Sequence, residues 1–235
     1  MNPHIDLAFF YQIYEKNRAM MGFAELLNLY HLLSRVLLEK TEGEVVELGC
    51  YKGFTAILMQ KLLDSVASDK RLFVYDSFEG LPEKSDKDLW DNAENIRKCD
   101  FLDNKRVGKG WFKASRETLL ENCKKLKVKE PIICQGFFDE TLPLNLPNKI
   151  SFAHLDADFY SSTLTALEHV YPRLVDNGIL LIDDYCDPKI FSKKNTLPGV
   201  KRACDEFFKN TSQKIINLPG LPNQSQAYLV KEAKG

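Results

Sequence analysis

The stretch Ile150–Tyr160, with the sequence ISFAHLDADFY, constrains the fold and the chemistry of this chain more than any other segment. It is an apolar strand that ends in two carboxylates, Asp156 and Asp158. A later apolar run, GILLIDDY, ends in Asp183 and Asp184. Because parallel strands deliver their carboxyl ends to one edge of a sheet, the four carboxylates are expected to crowd one crevice. A bound cation is the simplest way to keep such a group ionised.

Side-chain alternation along a strand separates these residues. Asp156 and Asp158 are expected to point to one face, if the strand stays regular to its end. Asp183 and Asp184 are adjacent, so both could bind one cation only if their strand has begun to turn; Asp184 could instead be a cap or a solvated turn residue. His154 lies deeper on the same face as Asp156, and we predict a buried structural histidine that is hydrogen-bonded beneath the site.

The order of strand-like and helical patterns predicts an α/β fold. A length of 235 residues with 44% hydrophobic residues suits one such domain with additions. The strand-like runs are Glu44–Leu48, Arg71–Tyr75, Pro131–Gln135, Ile150–Leu155 and Ile179–Ile182, and the helical stretches between them are Thr55–Leu63, Arg116–Lys125 and Ser162–Leu174. Repeated β-α-β units favour a doubly wound, mostly parallel sheet with helices on both faces. The residues Ser161–Thr163 are expected to cap the last of these helices. The final strands, Lys214–Leu218 and Gln226–Lys231, are too close for a helical crossover and should pair antiparallel.

Two helical patterns, Ile5–Met21 and Phe23–Lys40, precede the first strand. We interpret residues 1–40 as an N-terminal helical extension and residues 41–235 as the main domain. The extension could pack on its own chain, roof the site, or pair two subunits. A long polar insert at about 84–111 follows the second strand and is expected to overhang the crevice as a lid or a substrate wall.

Composition narrows the function classes. A net charge of −1 provides no basic field for nucleic acid. The first apolar stretch is interrupted by Asp6 and Gln12, and no apolar run approaches the roughly twenty residues that span a bilayer. The six cysteines form no C-x-x-C pair. We therefore expect a cytoplasmic protein that binds neither nucleic acid nor membrane.

The segment VVELGCYKGFTA is typical of a strand, a glycine turn and a helix. Gly49 permits the tight turn, and Gly53 is expected to let the helix approach the sheet. The G-x-G-x-x-G fingerprint is absent, and Glu47 at the strand end disfavours phosphate but suits a cationic ligand. Asp76 ends the second strand, where an acidic residue commonly binds a ribose. The pair favours S-adenosylmethionine, which carries a sulfonium and an ammonium group; the alternative is that both residues are caps or solvated.

Six motifs, ELGCYKG, YDSFEGLP, GFFDETLP, HLDADFYSST, LIDDY and PGVKRACDEFF, occur in the order found in macrocin O-methyltransferases. From about Glu44 to Lys231 the chain resembles this family of class I, S-adenosylmethionine- and magnesium-dependent enzymes, which methylate sugar hydroxyls of natural products. The resemblance implies a seven-stranded sheet of order 3-2-1-4-5-7-6 with strand seven antiparallel. It also implies S-adenosylmethionine and Mg²⁺ as cofactors, a sugar or glycoside as the small-molecule partner, and a homo-oligomer.

The resemblance also implies roles for single residues. Asp156, Asp183 and Asp184 match the metal ligands, and Asp158 matches the general base. Gly136 and the residue after it match the region beside the adenine. The full cofactor-binding set that it implies is Glu47, Gly49, Tyr51, Gly53, Thr55, Asp76, Ser77, Gly136, Phe137 and Asp156.

The function that these patterns favour is metal-dependent O-methylation of a hydroxyl on a sugar or a glycosylated small molecule. A metal lowers the pKa of a bound hydroxyl, and a nearby carboxylate can accept the proton as the methyl group transfers. Three alternatives stay open at this point. They are a catechol-type enzyme with a phenolic acceptor, a metal-dependent hydrolase without a methyl donor, and a non-catalytic module that keeps the cofactor-binding fold.

Overall fold

The computed structural model of the protein describes residues 4–89, 107–187, 197–218 and 225–233. The strands in these residues are β1 (Glu44–Leu48), β2 (Leu72–Asp76), β3 (Ile132–Gln135), β4 (Ile150–Leu155), β5 (Leu174–Asp183), β6 (Ile216–Leu218) and β7 (Gln226–Val230). The α-helices are α1 (Leu7–Asn17), α2 (Phe23–Leu38), α3 (Phe54–Ser65), α4 (Arg116–Leu126), α5 (Phe138–Asn145), α6 (Tyr160–Arg173) and α7 (Pro198–Phe208).

The strands form one seven-stranded sheet in the order β3-β2-β1-β4-β5-β7-β6. The first five strands pair in parallel, and β7 runs antiparallel to both β5 and β6. The predicted strand order and the antiparallel pairing of the last two strands are confirmed. The carboxyl ends of β1, β2, β4 and β5 therefore meet at one edge, as the carboxylate pattern requires.

Helices cover both faces of the sheet. One apolar cluster joins alternate strand residues such as Val45 and Phe152 to α1, α2, α3 and α4. A second cluster joins the intervening residues, such as Val46 and Ala153, to α5, α6 and α7. The two N-terminal helices therefore pack on their own chain. In the stretches that the structure describes, no helix is long and apolar enough to cross a bilayer.

One local prediction was wrong, and two helices, α5 and α7, were not predicted. Helix α5 was not predicted, because Pro143 lies within it and Pro disfavours a helix interior. Helix α6 begins at Tyr160 after Phe159, so Ser161–Thr163 lie inside the helix and do not cap it. The hydroxyl-rich sequence resembled a cap, but the capping group comes from elsewhere in the chain.

That group is Asp88, which lies in a 3₁₀ turn at the base of the polar insert. Its Oδ1 accepts a hydrogen bond of 2.6 Å from the backbone N–H of Tyr160, and the aspartate is only 1% exposed. Its Oδ2 accepts hydrogen bonds from the backbone and hydroxyl of Ser85. The insert is thus anchored to the first residue of α6, two residues after Asp158. Most of the insert, 90–106, lies outside the described residues.

Candidate active site

A cavity of about 300 Å³ lies at the carboxyl edge of the sheet. Loops that follow the first five strands form its wall, and the segment between α1 and α2 contributes Met20 and Met21. The extension therefore contributes to the cavity wall. Of the predicted site residues, those in the wall are Gly49, Tyr51, Thr55, Asp76, Ser77, Phe137, Asp156, Asp158, Asp183 and Asp184.

Asp76 links the turns that follow β1 and β2. Its Oδ2 accepts hydrogen bonds from the backbone N–H groups of Cys50 and Tyr51, at 2.9 and 3.0 Å. Its Oδ1 accepts one from Phe78 at 2.7 Å. Tyr51 adopts a left-handed conformation with φ of 51°, so the carboxylate stabilises a turn that otherwise favours glycine. An ionised carboxylate has about four acceptor sites, so Asp76 keeps capacity for a ligand hydroxyl.

The predicted glycines act through the backbone. A Cβ atom on Gly49, whose φ is +87°, would lie 1.9 Å from the carbonyl oxygen of Asp156. Gly49 thus lets the ends of β1 and β4 approach each other. A Cβ atom on Gly53 would lie 1.8 Å from Cδ1 of Leu119, so this glycine makes room for α4 rather than for the sheet. Gly136, with φ of +140°, is not part of the cavity wall.

Three carboxylates converge at the ends of β4 and β5. Asp156, Asp158 and Asp184 each place one oxygen so that the three atoms lie within 4.8 Å of one another. Asp158 and Asp184 have left-handed φ angles of 60° and 57°, so the backbone has turned after both β4 and β5. The turn that the adjacent aspartates required is therefore present. The group that forms contains Asp158, whereas the predicted ligand set contained Asp183.

The electrostatics of this group favour a cation. Burial raises the pKa of Asp156 well above its usual range, and Asp183, Asp158 and Asp184 raise it further. Burial, followed by the charges of Asp158 and Asp183, does the same to Asp184. The pKa of Asp158 is raised to about 7, first by burial and then by Asp183 and Asp76. Without a counter-charge, these carboxyl groups are driven towards protonation.

Asp183 is also in the cavity wall, but its carboxylate is held by contacts beneath that wall. Its Oδ2 lies 3.0 Å from Nε2 of His154, and its Oδ1 accepts a hydrogen bond from the side-chain amide of Gln226. Nδ1 of the same histidine lies 3.0 Å from Oε1 of Glu47. The prediction of a buried structural His154 is confirmed. Burial lowers its pKa, but the charges of Asp183 and Glu47 outweigh burial and hold it well above its usual range.

This contact changes the interpretation of Glu47. The sequence placed its carboxylate at the strand end, where it would meet a cationic ligand. In the structure Glu47 is fully buried and is not part of the cavity wall. Its side chain points towards His154 on the neighbouring strand, because the register pairs the two residues. Glu47 therefore lies behind the cavity wall, in contact with His154.

The wall also contains Glu25 of α2, a carboxylate that was not predicted from the sequence. It is 9% exposed, lines the cavity, and its Oε2 accepts a hydrogen bond of 2.8 Å from the N–H of Gly22. Burial and then the charge of Asp183 raise its pKa to about 7. The spacing from Gly22 could have indicated a helix N-terminus, but not that α2 would dock beside the aspartates.

The sheet order, the glycine turn after β1 and the acidic strand ends define the class I methyltransferase fold. The O-methyltransferase NovP has this fold, with a TM-score of 0.71 and 24% identity over 91% of this chain and 82% of that one. The calicheamicin methyltransferase CalS11 has it too, with a TM-score of 0.64 and 19% identity over 97% and 94%. The Podospora anserina methyltransferase PaMTH1, with a TM-score of 0.59 and 13% identity over 99% and 91%, was solved with SAH bound.

The family follows from the sequence match. The model of the macrocin O-methyltransferase (TylF) family matches residues 14–215, and this chain belongs to that family. Mycinamicin III 3''-O-methyltransferase of Micromonospora griseorubida is 30% identical over 72% of this chain and 65% of its own length. A tetracenomycin rhamnosyl 4'-O-methyltransferase of Streptomyces olivaceus is 30% identical over 71% and 62%. The chain thus spans slightly less than two thirds of the length of these relatives.

Proposed function

We propose that this chain transfers the methyl group of S-adenosylmethionine to a hydroxyl of a sugar or a glycosylated small molecule, with Mg²⁺ as a cofactor. The observation that carries the proposal is the convergence of the aspartates after β4 and β5 on a cavity whose other wall is the β1 and β2 turns. The names of the two relatives above, which specify 3''-O and 4'-O methylation, support a sugar hydroxyl as the acceptor.

The donor half of the site lies at the ends of β1, β2 and β3. Asp76 and Ser77 line the wall where a ribose would bind, and Phe137 offers an apolar face for an adenine. We assign the sulfonium and ammonium groups to the side nearest Asp156, because its negative charge attracts both. Gly49 and Tyr51 complete the wall of this half.

The acceptor half has the donor atoms that Mg²⁺ prefers, since carboxylate oxygens are hard ligands. We propose that Asp156, Asp183 and Asp184 hold the ion. Asp183 already accepts two hydrogen bonds, but a carboxylate keeps further lone pairs and this residue lines the cavity. When bound, the ion would lower the pKa of the acceptor hydroxyl.

Asp158 is the proposed general base. It lies beside Asp156 and Asp184, and its pKa of about 7 suits a group that accepts a proton near neutral pH. Its Oδ atom would accept the hydroxyl proton as the acceptor oxygen forms its bond to the methyl carbon and the bond from that carbon to sulfur breaks. The walls contribute by holding oxygen, carbon and sulfur in line and by excluding water.

The proposal is tested by transfer of labelled methyl from S-adenosylmethionine to parallel panels of glycosides, sugar nucleotides and catechols. We expect a glycoside or sugar nucleotide to be methylated, activity to disappear in EDTA, and Mg²⁺ to restore it. Preferential methylation of a catechol would show that the acceptor is a phenol and not a sugar. Full activity after thorough chelation would contradict the proposed requirement for Mg²⁺. A protein that binds no S-adenosylmethionine would overturn the proposal.

We also propose a homo-oligomer. The exposed apolar residues Leu7 and Tyr11 of α1, which are 65% and 48% exposed, support an association surface on the extension. Light scattering coupled to size exclusion tests this, and a monomer at micromolar concentration would contradict it.

A further inference from the structure

A chain of hydrogen-bonded polar side chains crosses four adjacent strands and ends on helix α2. Glu47 of β1 contacts His154 of β4, which contacts Asp183 of β5. Asp183 accepts a hydrogen bond from Gln226 of β7, and Gln226 in turn accepts one of 3.0 Å from Asn28 of α2. The four strand residues occupy positions on the face of the sheet that α2 covers.

The geometry fixes the direction of the hydrogen bonds at the α2 end of this chain. Nδ2 of Asn28 donates to Oε1 of Gln226, so Nε2 of Gln226 is the atom that faces Asp183. An amide nitrogen only donates and an ionised carboxylate only accepts, so both contacts are satisfied by one amide orientation. Gln226 is 1% exposed, so water cannot replace it as the donor.

Helix α2 is thus connected to the site at two positions. Glu25, near its N-terminus, lines the cavity, and Asn28 lies about one turn later on the same side. Strand β7 is also involved, because its first residue, Gln226, pairs in register with Asp183. The orientation of the Asp183 carboxylate therefore depends on the docking of an N-terminal helix and a C-terminal strand.

We propose that Gln226 and Asn28 are positioning residues that orient the Asp183 carboxylate for the cation, so that cation affinity depends on the docking of α2 and β7. This inference rests on the proposed function, in which Asp183 is a metal ligand. Groups that hydrogen-bond to a metal ligand fix its orientation, and their loss typically weakens metal binding about 10- to 100-fold. Without Gln226, the Asp183 Oδ1 would lose its donor inside a buried site, and the carboxylate could rotate.

The test is Mn²⁺ binding to the full-length protein, measured by electron paramagnetic resonance of the free ion, without any acceptor. We expect Gln226→Met to weaken Mn²⁺ binding about 10- to 100-fold. Asn28→Ala should weaken it in the same direction but less, and the double variant should fall short of the sum of the two effects, since both act through one amide. Binding of S-adenosylhomocysteine should change less than Mn²⁺ binding in each case.

The matched control is Gln213→Met. Gln213 also donates its amide to β7, but at the carbonyl of Val230 at the opposite end of the strand, so it should leave Mn²⁺ affinity unchanged. Asn28→Ala covers the case in which Gln226→Met does not fold, because Asn28 is half-buried and Ala favours a helix. If variants at both positions fold and bind Mn²⁺ with wild-type affinity, the positioning role of Gln226 and Asn28 is wrong, but the proposed function is unaffected. Wild-type protein that binds no Mn²⁺ would overturn the metal in the proposed function as well.

Discussion

Asp158 and Asp184 both hold left-handed backbone conformations, and both face the cavity. Such conformations cost non-glycine residues on the order of 1 kcal/mol or more, so they persist only where the surroundings hold them. Here they bring two carboxylates to within 4.8 Å of Asp156 at the ends of neighbouring strands. The unfavourable backbone conformations therefore lie where the proposed chemistry needs several carboxylates close together.

Asp158→Asn separates the role of base from that of ligand. We expect kcat to fall about 10²- to 10⁴-fold, because the amide is similar in shape but cannot accept the proton. Affinity for Mn²⁺ should change much less. The control is Asp176→Asn, an exposed residue at the other end of β5 that should alter neither quantity. If Mn²⁺ affinity falls as steeply as kcat, Asp158 is a ligand and the base is another group.

The same residue predicts a pH dependence of stability. Its pKa is about 7 in the folded protein and about 3.9 in an unfolded chain. The folded state binds the proton more tightly, so this contribution to stability is full below about pH 4 and is lost as the pH rises through about 7. In EDTA, the Tm of the wild type relative to Asp158→Asn should fall between about pH 4 and pH 7 and level off at higher pH. A difference that stays constant over this range would contradict the raised pKa.

The sequence predicted the position of these carboxylates and the buried histidine beneath them, but not the other contacts that hold them. An apolar strand followed by Asp156 is sufficient to predict a residue at the crevice, because only local periodicity is needed. The orientation of the Asp183 carboxylate depends on Gln226. That residue is remote in sequence and meets Asp183 only through the register of β5 and β7. Glu25 likewise depends on how α2 docks, which no local pattern encodes.

At the scale of the elements, β1 and β4 approach each other closely at Gly49. Gly49→Ala would place Cβ 1.9 Å from the carbonyl oxygen of Asp156, which is backbone and cannot move aside cheaply. Gly110→Ala is the matched control, because its φ is also positive, at +80°, but its Cβ would meet nothing within 4 Å. The control should cost about 1–2 kcal/mol of unfolding free energy, and Gly49→Ala clearly more. Equal costs in urea unfolding would show that the contact with Asp156 is unimportant.

The insert and helix α6 are joined by Asp88, which caps Tyr160 two residues after the proposed base. Asp88→Ala should lower the unfolding free energy by about 0.5–2 kcal/mol, as other lost caps do, and should also lower kcat through the loosened Asp158 turn. Asp88→Asn should restore much of both, since its amide oxygen can accept the same hydrogen bond. Ser115→Ala, which removes the exposed cap of α4, should cost stability without changing kcat. If kcat is unchanged in Asp88→Ala, Asp88 contributes to folding stability but not to catalysis.

The whole molecule is a sheet with two apolar faces and one polar edge, and the sequence predicted most of that arrangement. Regular β-α-β alternation predicted the parallel core, and the family resemblance implied the strand order that the structure confirms. The short α5 was missed because its internal Pro143 outweighed the acidic residues of its first turn. The predicted lid at 84–111 is described only at its two ends, so its closure over the cavity stays a prediction.

The proposed division of the site into a donor half at β1–β3 and a metal half at β4 and β5 can be tested without knowing the acceptor. Crystals grown with S-adenosylhomocysteine and Mn²⁺ would show the ion by its anomalous scattering. We predict one strong peak among Asp156, Asp183 and Asp184, with the nucleoside beside Asp76 and Phe137. A peak elsewhere, or an empty carboxylate cluster beside a bound nucleoside, would contradict the two-part site.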